Sequence, residues 1–238
     1  MIIDTHFHID SFESFSIPEN IFPVLVGYSH KSNLKTAEMG EKLNLPYVLG
    51  IAPQTAIIEG IEKLDNWIDF IKSKNPVAIG EVGLDFYWAK TEKHLKDEYF
   101  LFDKMLDLSN TLNLPLVIHS RKSEKQVFEI LKRREKRDFL MHYFSGDYLL
   151  AKEIIDFGGL ISISPMHSKN RKEVIQKIPL EFLVVETDAP YVVRDIQDIK
   201  KAIQYISDVK SISFQDVEDE TFKTSSKFFN LGERYGFF

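Results

Sequence analysis

Two histidines one residue apart, His6 and His8, close a short apolar run, Ile2-Ile3-Asp4-Thr5-His6-Phe7-His8. Side chains two apart on a strand point to one side, so both imidazoles face the same way. That is a chelate for a divalent metal. Matching donors recur along the chain: Glu81 in Gly80-Glu81-Val82-Gly83-Leu84-Asp85, His119 in Leu116-Val117-Ile118-His119-Ser120-Arg121, His142 in His142-Tyr143-Phe144-Ser145-Gly146, and Glu186 and Asp188 in Glu186-Thr187-Asp188-Ala189-Pro190-Tyr191. Four histidines with Glu81 and Asp188 can hold two divalent ions, and a carboxylate such as Glu81 can bridge them. Two ions about 4 Å apart lower the pKa of a bridging water and stabilise the attacking and leaving oxygens. The expected chemistry is hydrolysis of a phosphoester, an ester or an amide. The chain has no cysteine, so His, Asp and Glu must supply every metal ligand.

These residues need elements that bring them to one place. Apolar runs predict strands at Ile2–Phe7, Val24–Tyr28, Tyr47–Ile51, Val77–Ile79, Leu116–Ile118, Phe139–His142, Leu160–Ile163 and Phe182–Val185. Helical patterns fall between and after them: Ile57–Ser73, Glu92–Leu112, Lys125–Arg137, Tyr148–Phe157, Lys200–Ser207 and Phe214–Phe229. Eight strands alternating with helices predict an α/β fold, a TIM-type (β/α)8 barrel in a single domain over residues 1–238; a doubly wound open sheet is the alternative. Every candidate ligand lies at or just past the carboxyl end of a predicted strand, the end where barrel active sites form.

The net charge of −6 makes a broad electropositive surface unexpected, and with it tight binding of long duplex DNA by charge alone. No apolar run approaches the roughly 20 residues needed to cross a bilayer. Nothing marks export, so a cytoplasmic location is expected. No obligate protein partner is indicated.

In order and over nearly the whole chain, these motifs resemble those of the TatD-like metal-dependent deoxyribonucleases of the amidohydrolase superfamily. Glu81 after strand four, where many amidohydrolases use a modified lysine, is part of that likeness. The resemblance implies one ion held by His6, His8, Glu81 and Asp188, and a second by Glu81, His119 and His142. It implies magnesium, manganese or zinc, and cleavage of phosphodiester bonds in DNA, as an exonuclease. In this mechanism an activated water attacks phosphorus, with Glu81 and Asp188 as the catalytic carboxylates and Asp188 taking the proton. The alternative on the same scaffold is an esterase or amidase acting on a small molecule or an aminoacyl ester.

Two departures bear on substrate. The family's usual Gly-Ile-His-Pro is here Gly50-Ile51-Ala52-Pro53, and the segment after Tyr191 is abbreviated. Arg121 and Arg194 are the candidate phosphate contacts, since the guanidinium fork suits phosphate. The run His167–Lys172 reads either as part of a basic rim or as a solvated helix start. Lys132–Arg137 reads as a helix C-terminus carrying compensating cations. Phe86, Tyr87 and Trp88 either stack an unpaired base or pack as a lid. Asp85 is either a helix cap or a site residue, and Asp4 is expected to support the neighbouring histidines.

Overall fold

The computed structural model describes residues 1–12, 14–136 and 138–236. Its strands are β1 (Ile2–Phe7), β2 (Ile21–Val26), β3 (Tyr47–Leu49), β4 (Ala78–Asp85), β5 (Leu116–Arg121), β6 (Phe139–Met141), β7 (Leu160–Ile163) and β8 (Leu183–Val185). They form one eight-stranded sheet in chain order, each pair parallel. The helices are α1 (His30–Leu43), α2 (Pro53–Glu59), α3 (Leu64–Lys72), α4 (Glu92–Leu112), α5 (Glu124–Arg133), α6 (Tyr148–Phe157), α7 (Lys169–Lys177), α8 (Ile199–Lys210), α9 (Phe214–Phe228) and α10 (Leu231–Tyr235). The sheet comes round on itself: Phe7 pairs with Ala189, the His8 N–H donates to the Ala189 carbonyl, and the Asp188 N–H donates to the His6 carbonyl, both at 3.0 Å. The molecule is the expected (β/α)8 barrel.

Alternate strand residues separate into two cores, as the two-residue strand period requires. Ile3, Val24, Val26, Val48, Val117 and Leu140 fill the barrel interior, joined by Phe229 and Leu231 from the C-terminal helices. Ile2, Leu25, Leu49, Ile118, Met141 and Val185 belong to the larger core shared with the surrounding helices. No helix among the described residues is long and apolar enough to cross a membrane.

Several boundaries differ from expectation for local reasons. β4 runs to Asp85 rather than stopping at Ile79, so Glu81 lies inside the strand. A register shift between Ile79 and Val82 turns Glu81 out of the regular alternation. A Cβ on Gly83 would stand 2.0 Å from the His119 carbonyl oxygen at φ +147°, so only glycine lets β4 and β5 approach this closely. The helix expected over Ile57–Ser73 is two helices, broken at Gly60 with φ +76°. The sequence pattern missed α1 because its buried face is Ser32, Asn33, Thr36, Ala37 and Gly40, too small and polar to leave an apolar stripe. The helix expected over Lys125–Arg137 ends at Arg133, and Arg137 lies outside the described residues.

Candidate metal centre

The six predicted ligands converge at the carboxyl end of the barrel, and five of them are at least nine-tenths buried. His6 and His8 end β1 with their Nε2 atoms 3.1 Å apart. Glu81 lies between two groups of donors. Its Oε2 is 3.7 Å from His6 Nε2 and 3.9 Å from His8 Nε2, while its Oε1 is 2.5 Å from His119 Nδ1 and 3.9 Å from His142 Nε2. Asp188 faces both groups, with Oδ1 3.3 Å from His8 Nε2 and Oδ2 3.9 Å from His142 Nε2. The donors of His6, His8 and Glu81 lie within 4.8 Å of one another, as do those of Glu81, His119 and His142.

Backbone geometry aims Asp188. It adopts φ 50°, a left-handed conformation that aspartate tolerates better than most residues. Its N–H is bonded to His6, and its carbonyl accepts from the N–H groups of Tyr191 and Val192, each at 2.9 Å. The surrounding bonds thus hold an unfavourable φ at a site residue.

A second layer of hydrogen bonds sets which ring nitrogen each histidine presents. His8 Nδ1 donates to the Val26 carbonyl at 3.0 Å, leaving Nε2 as donor to a metal. His142 Nδ1 donates to Glu186 Oε2 at 2.9 Å, and Glu186 Oε1 accepts the Tyr143 N–H at 2.7 Å. Glu186 is therefore the positioning partner of His142. His119 is turned the other way. Its Nε2 donates to Asp85 Oδ2 at 2.9 Å, so Nδ1 faces Glu81.

Asp85 is not the helix cap the sequence allowed, since Thr91 caps α4; it is a residue of the site that also caps a turn. Its Oδ1 caps the N–H groups of Tyr87 and Trp88, at 3.0 and 3.2 Å, while its Oδ2 holds His119. Gln54 adds a donor that sequence reasoning missed: its amide nitrogen is 2.8 Å from Asp85 Oδ2. The only signal for it was its place directly after the altered Ala52-Pro53. Asp4 does not touch the histidine rings. It accepts from the His6 N–H at 3.2 Å and from the Thr187 N–H and hydroxyl at 2.9 and 2.5 Å, tying β1 to the segment after β8. Burial raises its pKa to about 7.

The electrostatics fit a cation. Burial alone would push His119 and His142 down, yet the carboxylates around them raise the two to about 10 and about 9. Glu81 is held well below the usual carboxylate range: burial opposes this, and the neighbouring charge and hydrogen bond of His119 prevail. Protons on histidine thus hold the carboxylates together, a task a divalent ion performs by displacing them. His6 points the same way. Its Nδ1 is buried without a hydrogen-bond partner, and burial with the adjacent His142 lowers its pKa. His6 and the His8 bonded to Val26 aim nitrogens 3.1 Å apart at one point, and a shared cation would displace the proton that, against burial, Asp188 and Glu81 favour on His8. The donor set of imidazoles and carboxylates fits a divalent metal ion.

A cavity of about 440 Å³ opens above these ligands, lined also by Tyr28, Ala52, Gln54, Trp88, Arg121 and Tyr191. Arg121 therefore lines the metal cavity. Arg194 lines a separate cavity with Phe7, Phe12 and Phe15. Arg171, from the run His167–Lys172, is buried and donates to the carbonyls of Met166 and Phe144, while Ser168 caps α7. That run is a helix start with its arginine turned inward. Lys132 and Arg134 pair with acidic residues at the outer helices, Glu129 at 2.7 Å and Asp103 at 2.6 Å.

Comparison with known proteins agrees with this geometry. The profile of a family described as TatD related DNase matches residues 3–230. A protein of Methanocaldococcus jannaschii described as an uncharacterized metal-dependent hydrolase is 33% identical over 95% of this chain and 96% of its own length. Another so described, from Bacillus subtilis, is 28% identical over 97% of this chain and 100% of its own. Among solved structures, a TatD homolog from Escherichia coli has a TM-score of 0.82 at 23% identity, covering 96% of this chain and 98% of its own. A TatD family hydrolase from Entamoeba histolytica has a TM-score of 0.80 at 17% identity, covering 95% and 97%. The structural matches establish the fold. Since the family profile runs from β1 to the end of α9, and a relative one-third identical spans the same barrel, the chain belongs to the TatD family of metal-dependent hydrolases.

Proposed function

We propose that this hydrolase cleaves phosphodiester bonds in DNA, as an exonuclease using two divalent ions of magnesium, manganese or zinc. The observation that carries this reading is the position of Glu81, whose two oxygens face two separate sets of histidines. One ion would lie among His6, His8, Glu81 and Asp188, the other among Glu81, His119 and His142. When bound, such ions supply Lewis acidity that activates water and neutralises charge at phosphorus. Asp188 stays ionised: burial would raise its pKa, but the His8 hydrogen bond and the charges of His142, His6 and His8 lower it. Its carboxylate faces both donor sets and is free to accept the proton of the attacking water. Arg121 reaches the same cavity and can bind a phosphate oxygen. The ligands lie at the base of a pocket, which favours a strand end over the convex backbone of an intact duplex.

A second reading, hydrolysis of a small ester, is favoured by Ala52, which leaves the cavity wall short of a polar side chain, and by the apolar Ile58 beside it. Activity with manganese, magnesium and zinc on single-stranded DNA, duplex DNA, bis(4-nitrophenyl) phosphate and 4-nitrophenyl acetate separates the two. Turnover of single-stranded DNA from one end supports the first reading. Turnover of the acetate alone overturns it.

A further inference from the structure

Beside the metal cavity, three cations converge on one exposed aromatic ring. The Arg121 guanidinium carbon lies 3.9 Å from the centre of the Tyr87 ring, Lys90 Nζ 4.9 Å and Lys122 Nζ 5.5 Å. All four residues are exposed, and Tyr87 is 43% accessible. None of the three cations forms an ion pair among the described residues. On a chain of net charge −6, three cations gathered around one ring repel one another, and an anion between them relieves that repulsion. The ring supplies its negative face to each cation but no charge.

The cluster is built into the metal site. Arg121 follows His119 by two residues on β5, so both side chains project to the same side, roughly 6.6 Å apart along the strand. The Arg121 carbonyl accepts the Phe86 N–H at 3.0 Å, which joins it to the Tyr87 turn. That turn is capped by Asp85, the residue that also orients His119. Trp88, 45% accessible, lines the cavity together with Arg121, its ring edge-on to Tyr87 at 6.3 Å. Lys122 holds φ 58°, a left-handed conformation that turns the chain at the end of β5.

We infer that Lys90, Arg121 and Lys122, ordered around Tyr87, form a subsite for a backbone phosphate next to the scissile one in a single-stranded nucleic acid. The inference rests on the phosphodiesterase reading above and adds to it. A small ester has no second phosphate, so this cluster would favour polymeric substrates. A base leaving the cavity can stack on Trp88 while its phosphate meets the cations.

The test uses the metal-loaded protein and a fluorescein-labelled phosphorothioate oligothymidylate, which resists cleavage. Binding is followed by anisotropy from 50 to 300 mM salt. Each phosphate neutralised on a single strand contributes about 0.7 to the slope of log affinity against log salt. The double variant Lys90→Ala with Lys122→Asn, asparagine being chosen to tolerate the left-handed position, should flatten the slope by about 0.7, the share of the one phosphate held there. It should also weaken binding roughly tenfold at low salt. Tyr87→Leu should weaken binding and Tyr87→Phe should restore it. In parallel, the ratio of kcat/KM for an ordinary oligothymidylate to that for bis(4-nitrophenyl) phosphate should fall in the double variant. Equal salt slopes and an unchanged ratio overturn the subsite while leaving phosphodiester cleavage standing. A flattened slope in a protein that cleaves neither phosphodiester supports the subsite and overturns the activity. Absence of oligonucleotide binding by the unaltered protein overturns the subsite.

Discussion

Asp85→Asn isolates one interaction at the second metal position. The carboxylate does two things at once: Oδ1 caps two backbone N–H groups, and Oδ2 accepts from His119 Nε2 and from Gln54. Asparagine has one oxygen and one amide nitrogen. If its oxygen keeps the cap, the amide N–H₂ faces His119 and Gln54. His119 must then offer a lone pair at Nε2 and carry its proton on Nδ1, the atom that faces Glu81 and would bind the ion. If the side chain flips, the amide meets the N–H groups of Tyr87 and Trp88 and the cap is lost. The first arrangement takes Nδ1 from the ion, and the second replaces the carboxylate that holds His119 with a weaker neutral acceptor and loosens the turn, so each weakens ligation by His119. Loss of such an orienting carboxylate costs 10- to 100-fold in metal affinity, about 1.4 to 2.7 kcal/mol. Calorimetric titration of the metal-free protein with manganese or zinc should resolve two sites. The variant should weaken one of them by that factor and leave the site of His6 and His8 within about threefold. If both affinities match those of the unaltered protein, the assignment of Asp85 as the partner of a ligating His119 is wrong.

Asp188→Asn should reduce metal-stimulated hydrolysis by about 10²- to 10⁴-fold, read as kcat at saturating metal, since it removes the proposed proton acceptor; near-normal turnover would refute that role. Manganese at a hundred times its dissociation constant stabilises the fold by about 2.7 kcal/mol, so thermal denaturation should shift upward by about 5–10 °C and return with chelator. Glu98 supplies a pH-dependent test one step behind the ligands, through Asp85. Burial raises its pKa from 4.5 to about 7, its Oε2 accepts the Asp85 N–H at 3.0 Å, and its Oε1 has no partner. A carboxyl whose folded pKa is raised costs nothing below about pH 4.5 and destabilises the fold increasingly as pH climbs through 7, by up to about 3 kcal/mol. Glu98→Gln, which mimics the protonated acid, should match the unaltered protein near pH 5 and be the more stable near pH 8 by thermal denaturation; a difference independent of pH would refute this.

The barrel and the six converging donors were readable because each depends on a short-range pattern. Valine- and isoleucine-rich runs mark strands whatever lies beside them, and a polar residue just past such a run must emerge at the barrel mouth. What stayed hidden depends on contacts between distant segments. Helix α1 buries serine, asparagine and threonine where the sheet leaves little room, so its inner face carries no apolar signature. Glu186 was visible as a residue of the strand-end set, but its bond to His142 crosses from β8 to β6 and no spacing encodes it. Asp85 looked like a cap or a site residue because a single carboxylate has two oxygens, and here each one has its own task.

The altered position 52 shows most clearly how a local departure can mislead when judged alone. In the sequence, Ala52 reads as the loss of a polar group from the cavity wall. In the structure, α2 begins at Pro53, and Gln54 on its first turn carries an amide back to Asp85 Oδ2, beside the His119 ring. The metal ligands need nothing from position 52, since every one already has its own orienting partner or a direct place in the cluster. Ala52 and Ile58 line the cavity beside Tyr28 and Gln54, so the polar contact here comes from α2 rather than from position 52. Ile58, Trp88 and Arg121 all line the cavity, so it offers apolar and aromatic surface for a base together with a cation for phosphate.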